Sequence, residues 1–156
     1  ALLTKIRAKI PDVSITTDLI VGFPGETAED FDTSLRFATA CEFAKIHVFP
    51  YSPRRGTPAA VLPEQVPEET KNKRVEAAEI VDARGHQNYL NTLAGTETEV
   101  LWETKNKHGL WEGLTGNYVR VYTESKIELT GKITACQLQK LFEDGLRGVI
   151  IEEHDK

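Results

Sequence analysis

The sequence contains no methionine and only two cysteines among its 156 residues. It opens on Ala1, and the missing methionine raises the expectation that the chain is a piece of a longer protein. Cys41 and Cys136 stand far apart, and no C-x2-C spacing is present to hold a metal. Two buried thiols are expected, with a disulfide as the alternative. The four histidines, His47, His86, His108 and His154, share no i, i+4 pairing, so metal binding through them is not expected. A Gly-x-Ser-x-Gly elbow and a phosphate-loop signature are both missing. No apolar run approaches the roughly 20 residues of a membrane span. The opening "ALLTKIRAKIPD" carries charges inside its apolar pattern and does not read as a signal peptide. It suits an amphipathic helix with Leu2, Leu3, Ile6 and Ile10 on one side. A cytoplasmic chain with no membrane partner is the expectation. The net charge of −5 argues against broad, nonspecific nucleic-acid binding and leaves room for a local basic patch.

What is present falls into two textures. The first half alternates strand and helix patterns. "VSITTDLIVGF" is β-branched and apolar throughout, as in a strand buried on both faces. Thr27 and Asp30 approximate a capping box, and Phe31, Leu35 and Ala38 form a helical stripe. "AKIHVFPY" then reads as a second strand, so a βαβ unit with parallel strands is expected. Prolines 53, 58, 63 and 67, with Gly56, make the following stretch a long irregular loop. A charged helix is expected from about Glu68 to Leu93, with Gly85 as a weak point and Gly95 as its stop. Beyond Gly95, "ETEVLWE", "GLWEGLTG", "NYVRVY", "GKITACQLQKL" and "GLRGVIIEE" are short strand-like runs between turns. Five such runs in some 60 residues suggest a small all-β barrel or sandwich. The expected domains are residues 1–64, a linker helix over 65–94, and the barrel over 95–156. A two-stranded parallel unit leaves open edges, so further strands, a missing part of the protein or a second copy of the chain would complete it.

Two places carry candidate chemistry. In parallel α/β folds ligands bind at the carboxyl ends of strands, and "GFPGE" stands at one such end. There glycine allows close backbone approach and proline stiffens the turn. Glu26 would accept a hydrogen bond from a ligand or cap the helix. The second strand delivers His47, Phe49, Tyr51, Ser52 and Arg54 to the same region, where aromatics suit a flat base and an arginine an anion. The alternative is a plain Gly-Pro turn. In the β-rich half, alternation along "NYVRVY" puts Tyr118, Arg120 and Tyr122 on the face opposite Val119 and Val121. An exposed Tyr-Arg-Tyr row near Trp111, Lys105 and Lys107 would make a stacking platform with a phosphate anchor. Ordinary packing of the tyrosines is the alternative. This half holds 8 Lys and Arg against 11 Asp and Glu, so a nucleic-acid site there must be a local patch.

"TDLIVGFPGETAEDF" followed by "KIHVFPYSPRRGTPAA" resembles the last barrel strands of the radical S-adenosylmethionine methylthiotransferases. The long helix and β-rich tail resemble that family's linker and its RNA-binding TRAM domain. The phrase "GLWEGLTGNYVRVY" is most similar to the branch acting on threonylcarbamoyladenosine at position 37 of tRNA, beside the anticodon. The resemblance implies an α/β plus all-β chain: the last βαβ part of an open parallel barrel, a linker helix, then a five-stranded antiparallel OB-like barrel.

It also implies that Ile20, Gly22, Phe23, Pro24, Gly25, Glu26, Phe49, Tyr51 and Ser52 line the adenosine of S-adenosylmethionine. The family pattern there is Gly-x-Ile-x-Gly-x-x-Glu. Ile20 and Gly22 fit it, Asp18 replaces the first glycine, and Glu26 falls one residue late. Arg54 and Arg55 become candidates for a substrate loop. Lys105, Lys107, Trp111, Tyr118, Arg120 and Tyr122 become candidates for binding the tRNA anticodon stem-loop. The family's two [4Fe–4S] clusters are held by a C-x3-C-x2-C motif and by three further cysteines. Cys41 and Cys136 match neither, so no catalytic or metal-ligating residue is expected in this chain, and it would be inactive alone. The alternatives are the isopentenyladenosine branch, the branch modifying a ribosomal protein, and a non-catalytic RNA-binding or scaffold module.

Overall fold

The computed structural model describes residues 2–151; His154 lies outside them. The chain forms two compact units, one of residues 15–88 and one of residues 1–14 with 89–156. The helix expected as a linker has residues 68–88 in the first of these units and residues 89–93 in the second. Among the described residues no helix is long and apolar enough to cross a membrane.

In the first unit, β1 (Thr16–Val21) and β2 (Lys45–Pro50) pair in parallel, with Asp18 opposite His47 and Ile20 opposite Phe49. Helix α2 (Ala28–Cys41) connects them. Its capping box is complete: the Thr27 hydroxyl accepts the Asp30 N–H at 3.1 Å, and the Asp30 carboxylate accepts the Thr27 N–H at 3.1 Å. The helix buries Phe31, Ala38 and Cys41, and ends where Glu42 turns left-handed. Val21 and Ile46 are buried with this helix's apolar stripe. The opposite sheet face, carrying Thr16, Asp18, Ile20, Lys45, His47 and Phe49, is exposed. The expectation of a strand buried on both faces is therefore corrected. Burial on both faces needs a layer on each side, and the described part of this unit supplies one.

Helix α3 (Glu68–Leu93) follows the proline-rich loop, which holds one short 3-10 turn at Pro58–Val61. Its buried positions in this unit are Lys71, Arg74, Ala78 and Asp82, a helical stripe in which three of four members are charged. The Asp82 carboxylate accepts the Ile46 N–H at 2.6 Å and the Lys45 ammonium at 2.5 Å. His86 Nδ1 bonds the Ala44 carbonyl at 3.0 Å. At Gly85 the helix passes so close to the Phe43 carbonyl that a Cβ would stand 2.6 Å from its oxygen. The weak point in helix propensity is thus a close-packing point.

In the second unit, helix α1 (Leu2–Lys9) buries none of its residues; Leu3 and Ile6 are half-buried, while Leu2 and Ile10 are exposed. Strands β3 (Glu97–Lys105), β4 (Trp111–Thr115), β5 (Arg120–Thr123), β6 (Ile133–Phe142) and β7 (Gly145–Ile150) close a barrel in the order β3-β4-β5-β7-β6. Four of the five pairings are antiparallel, and β5 runs parallel to β7. The all-antiparallel expectation is corrected at that seam, which makes the closed OB-like barrel a mixed one. The core gathers Val100, Trp102, Trp111, Val119, Val121, Leu129, Cys136, Leu138 and Leu146, with Leu90 and Leu93 from the last turns of α3. Gly113 is small because the Trp102 ring and the Leu101 carbonyl occupy the space a side chain would need.

At Gly145 a methyl group would collide with the Arg120 backbone carbonyl, whereas Gly116 faces open space. Gly145→Ala is expected to destabilise the barrel by about 1–3 kcal/mol, and Gly116→Ala to stay within about 0.5 kcal/mol of the parent. Thermal melting followed by tryptophan fluorescence measures both, because Trp102 and Trp111 lie in the barrel core.

Candidate functional site

The turn after β1 is built by two left-handed glycines, Gly22 at φ +73° and Gly25 at φ +83°. Gly22 and Pro24 are buried, while Phe23 between them is exposed. The Gly22 N–H donates to Glu26 Oε2 at 2.5 Å. The same oxygen pairs with the Arg74 guanidinium, which also donates to the Glu26 carbonyl at 3.1 Å. Arg74 lies over the Phe31 ring, 5.3 Å from its centroid. Glu26 is thus turned inward to the fold. Capping of α2 falls to Thr27 and Asp30 instead.

The end of β2 meets this turn. The Tyr51 N–H donates to the Val21 carbonyl at 2.8 Å, and the Gly25 N–H to the Glu64 carbonyl at 3.0 Å, so the proline-rich loop folds back on the turn. Tyr51 and Phe23 meet edge to face at 5.1 Å. The Tyr51 hydroxyl is buried with no hydrogen-bond partner among the described residues. The Lys71 ammonium donates to the Tyr51 carbonyl at 3.1 Å and pairs with Glu68. The aliphatic stem of Lys71 lies where a side chain at Gly22 would be. Ile20 and Phe49, register partners on the open sheet face, are 56% and 51% exposed. Ser52, Arg54 and Arg55 are exposed on the loop.

Lys71 and Arg74 were not foreseen from the sequence. Charged residues three apart in a polar helix look like a solvated face. The available signal was their spacing with Ala78 and Asp82, at 71, 74, 78 and 82.

On the barrel the structure breaks up the expected Tyr-Arg-Tyr row. Tyr118 is 85% exposed and left-handed at φ +63°, so it belongs to the turn before β5. Tyr122 is buried: its hydroxyl donates to Asp144 at 2.5 Å and its ring packs edge-on against Phe142 at 5.2 Å. The β6–β7 hairpin covers the outer face at this point. Trp111 is buried in the core and points inward with Gly113 and Thr115; its indole N–H has no partner among the described residues. The placement of Trp111 and Tyr122 on an exposed platform is therefore corrected.

Lys105, Lys107, Tyr118 and Arg120 do lie at the surface. The Lys105 ammonium sits 5.7 Å from the Trp111 ring centroid. Arg120 is engaged by Glu112 at 3.3 Å and Asp144 at 3.2 Å. A second basic surface, not singled out in the sequence, is an open groove of about 620 Å³ whose walls include Lys126, Lys140 and Arg147 beside Glu124.

Cys41 and Cys136 are both buried and form no disulfide. Among the described residues no three His, Cys, Asp or Glu side chains stand together as a metal site.

The two units therefore present a glycine-rich strand end with an exposed apolar pair and, separately, an OB-like barrel with surface cations. No family model matches the chain. The tRNA-2-methylthio-N(6)-dimethylallyladenosine synthase of Yersinia pestis (strain Pestoides F) is 33% identical over 158 aligned positions, covering 100% of this chain and 33% of the synthase. The synthase of the same name from Yersinia enterocolitica serotype O:8 is 32% identical over the same span. The chain spans about a third of the length of the curated relatives it matches. These relatives are tRNA methylthiotransferases by name, which supports the family expected from the sequence. Their names carry dimethylallyladenosine and not the threonylcarbamoyladenosine expected from the barrel phrase.

Burial pushes the Cys136 thiol up from 9.0 to about 11. Burial, and then the hydrogen bond to Asp144, push the Tyr122 phenol above its ordinary 10.0. In both cases the folded state keeps a proton that the unfolded chain releases, so stability falls as pH rises. In urea unfolding this contribution is expected to be full below about pH 9, on the alkaline side of neutrality, and to be lost progressively between pH 9 and 11. Cys136→Ala should flatten the slope in that window.

Proposed function

We propose that the chain serves in methylthiolation of an N6-substituted adenosine in tRNA, as the carboxyl-terminal portion of a radical S-adenosylmethionine enzyme. The observation that carries this is identity of 33% along the whole chain to named tRNA methylthiotransferases. The strand end fits the adenosine of the cofactor. Ile20 and Phe49 offer an exposed apolar face for a planar ring, Gly22 and Gly25 let the backbone approach, and the Tyr51 hydroxyl is an unpaired buried polar atom at the same place. S-adenosylmethionine, bound with an iron–sulfur cluster whose ligands lie outside this sequence, supplies the methyl group and the radical chemistry. The residues of this chain bind and orient. Phe23, Pro24, Tyr51 and Ser52 complete the wall, and Arg54 and Arg55 sit on the exposed loop where they can meet an anionic substrate. No residue here is assigned a catalytic role, and the isolated chain is expected to be inactive.

The OB-like barrel is the proposed tRNA-binding element, through Lys105, Lys107, Tyr118 and Arg120 and through the groove cations. Phosphate contacts from lysines give affinity that falls with salt. The free edges of β1 and β2 are where an isolated chain would pair with a second copy.

Two nucleosides compete as substrate. The relatives' names favour dimethylallyladenosine, the isopentenyl branch. The "GLWEGLTGNYVRVY" phrase favours threonylcarbamoyladenosine at position 37. Expressing the full-length gene product in a bacterial strain that lacks its methylthiotransferases, followed by mass spectrometry of tRNA nucleosides, decides between them. A methylthio product on either nucleoside supports the proposed activity and names the branch; no methylthio nucleoside overturns it. In a second experiment, an anticodon stem-loop is titrated into the isolated chain at several salt concentrations. Binding is expected to weaken with salt, and Lys105→Ala or Lys107→Ala to lower the salt slope by about 1 for each lost phosphate contact.

A further inference from the structure

We propose that Arg74 and Lys71 of α3 are positioning residues for the cofactor wall, holding the ends of β1 and β2 at a fixed spacing from one helical turn. The inference rests on the S-adenosylmethionine assignment above. Arg74 is 8% exposed and Lys71 4%. Buried charges are costly to desolvate, and an apolar replacement of such a pair is often neutral or stabilising. Stability alone is therefore a weak reason for two cations to be buried on one helix face. The geometry supplies another.

Arg74 reaches the end of β1 through a single carboxylate oxygen. Glu26 Oε2 accepts from the guanidinium and from the Gly22 N–H. A second bond from Arg74, to the Glu26 carbonyl, fixes the far side of the turn. The rigid, planar guanidinium lies over Phe31, which limits how it can tilt. Lys71 reaches the end of β2 through the Tyr51 carbonyl, while its stem passes over Gly22. Residues 22–26 and Tyr51 are thereby tied to positions three apart on one helix. The acid of the strand-end motif acts through the fold, and the exposed surface is left to the backbone, Ile20 and Phe49, with the unpaired Tyr51 hydroxyl buried behind them.

The test separates positioning from plain stability. Arg74→Gln, Arg74→Lys and the swap of Glu26→Arg with Arg74→Glu are made in the full-length gene product. Each is scored for melting temperature, for S-adenosylmethionine affinity by equilibrium dialysis, and for anticodon stem-loop affinity. Arg74→Gln is expected to weaken cofactor binding about tenfold or more, the scale of a lost charge-assisted bond, with stem-loop affinity unchanged. Arg74→Lys should recover part of the loss. The swap should restore part of the melting temperature by re-pairing the charges but none of the cofactor affinity, because an arginine at position 26 cannot accept the Gly22 N–H. Lys71→Met keeps the stem over Gly22 and removes the bond to Tyr51 together with the ion pair to exposed Glu68, so it should fold and lose a smaller part of the affinity. A swap that restores both quantities together overturns the inference, as do folded Arg74→Gln and Lys71→Met proteins with unchanged cofactor affinity. Failure of the wild-type protein to bind S-adenosylmethionine overturns the cofactor assignment itself, and the inference with it.

Discussion

The carboxylate of Glu26 is the constraint on which the strand-end half of the structure depends. One of its oxygens receives the backbone N–H of the first residue after β1 and the guanidinium of a helix 48 residues further along the chain. An unpaired charge buried at that point would cost several kcal/mol. Gly22, Glu26 and Arg74 therefore form as a set. Once they are in place, the left-handed glycines set the path of the turn and Phe23 is carried to the surface. The Val21 carbonyl is left free to receive the Tyr51 N–H, which extends the β1–β2 pairing by one bond beyond the strands. The end of the parallel pair is thus shaped before any ligand arrives, which is the condition for binding without a large ordering cost.

Helix α3 shows how one element meets two demands along its length. Its first five turns carry charged residues on the buried side, because their partners are polar backbone groups at strand ends: the Ile46 N–H and the Tyr51 and Glu26 carbonyls. Its last turns carry Leu90 and Leu93, because there the neighbours are the tryptophans and aliphatic residues of the barrel core. The barrel has a different logic. It spends its two tryptophans on the core, holds Trp102 by a bond from its indole N–H to Thr134 at 2.9 Å, and leaves Tyr118 and several lysines outside.

Much of the fold was legible in the residues. The βαβ unit, the capping box at Thr27, the helix over Glu68–Leu93 and the five barrel strands all follow from periodicity and turn chemistry. The glycine-rich strand end was legible as a place, because Gly22 and Gly25 interrupt a β-branched run. What it does internally was not legible. The partner of Glu26 is remote in sequence and is drawn from a helix whose composition looks solvated. The barrel surface was misjudged for a local reason. Counting alternation from Tyr118 assumes that the strand begins there, but the left-handed turn at Tyr118 delays β5 to Arg120. Tyr122 then falls under the β6–β7 hairpin, a tertiary contact that period-2 patterning cannot show. The parallel β5–β7 seam is likewise a matter of chain closure.

The central claim is that the strand-end turn is held from within, by Glu26 and Arg74, before any ligand is bound. Amide hydrogen exchange at Gly22 in the unliganded chain tests it most directly. The account predicts that the Gly22 amide is protected to the level of the amides within β1 and loses that protection only when the unit opens as a whole. Exchange at the rate of an unstructured glycine peptide, with β1 still protected, would show that the carboxylate does not hold the turn and would contradict the account.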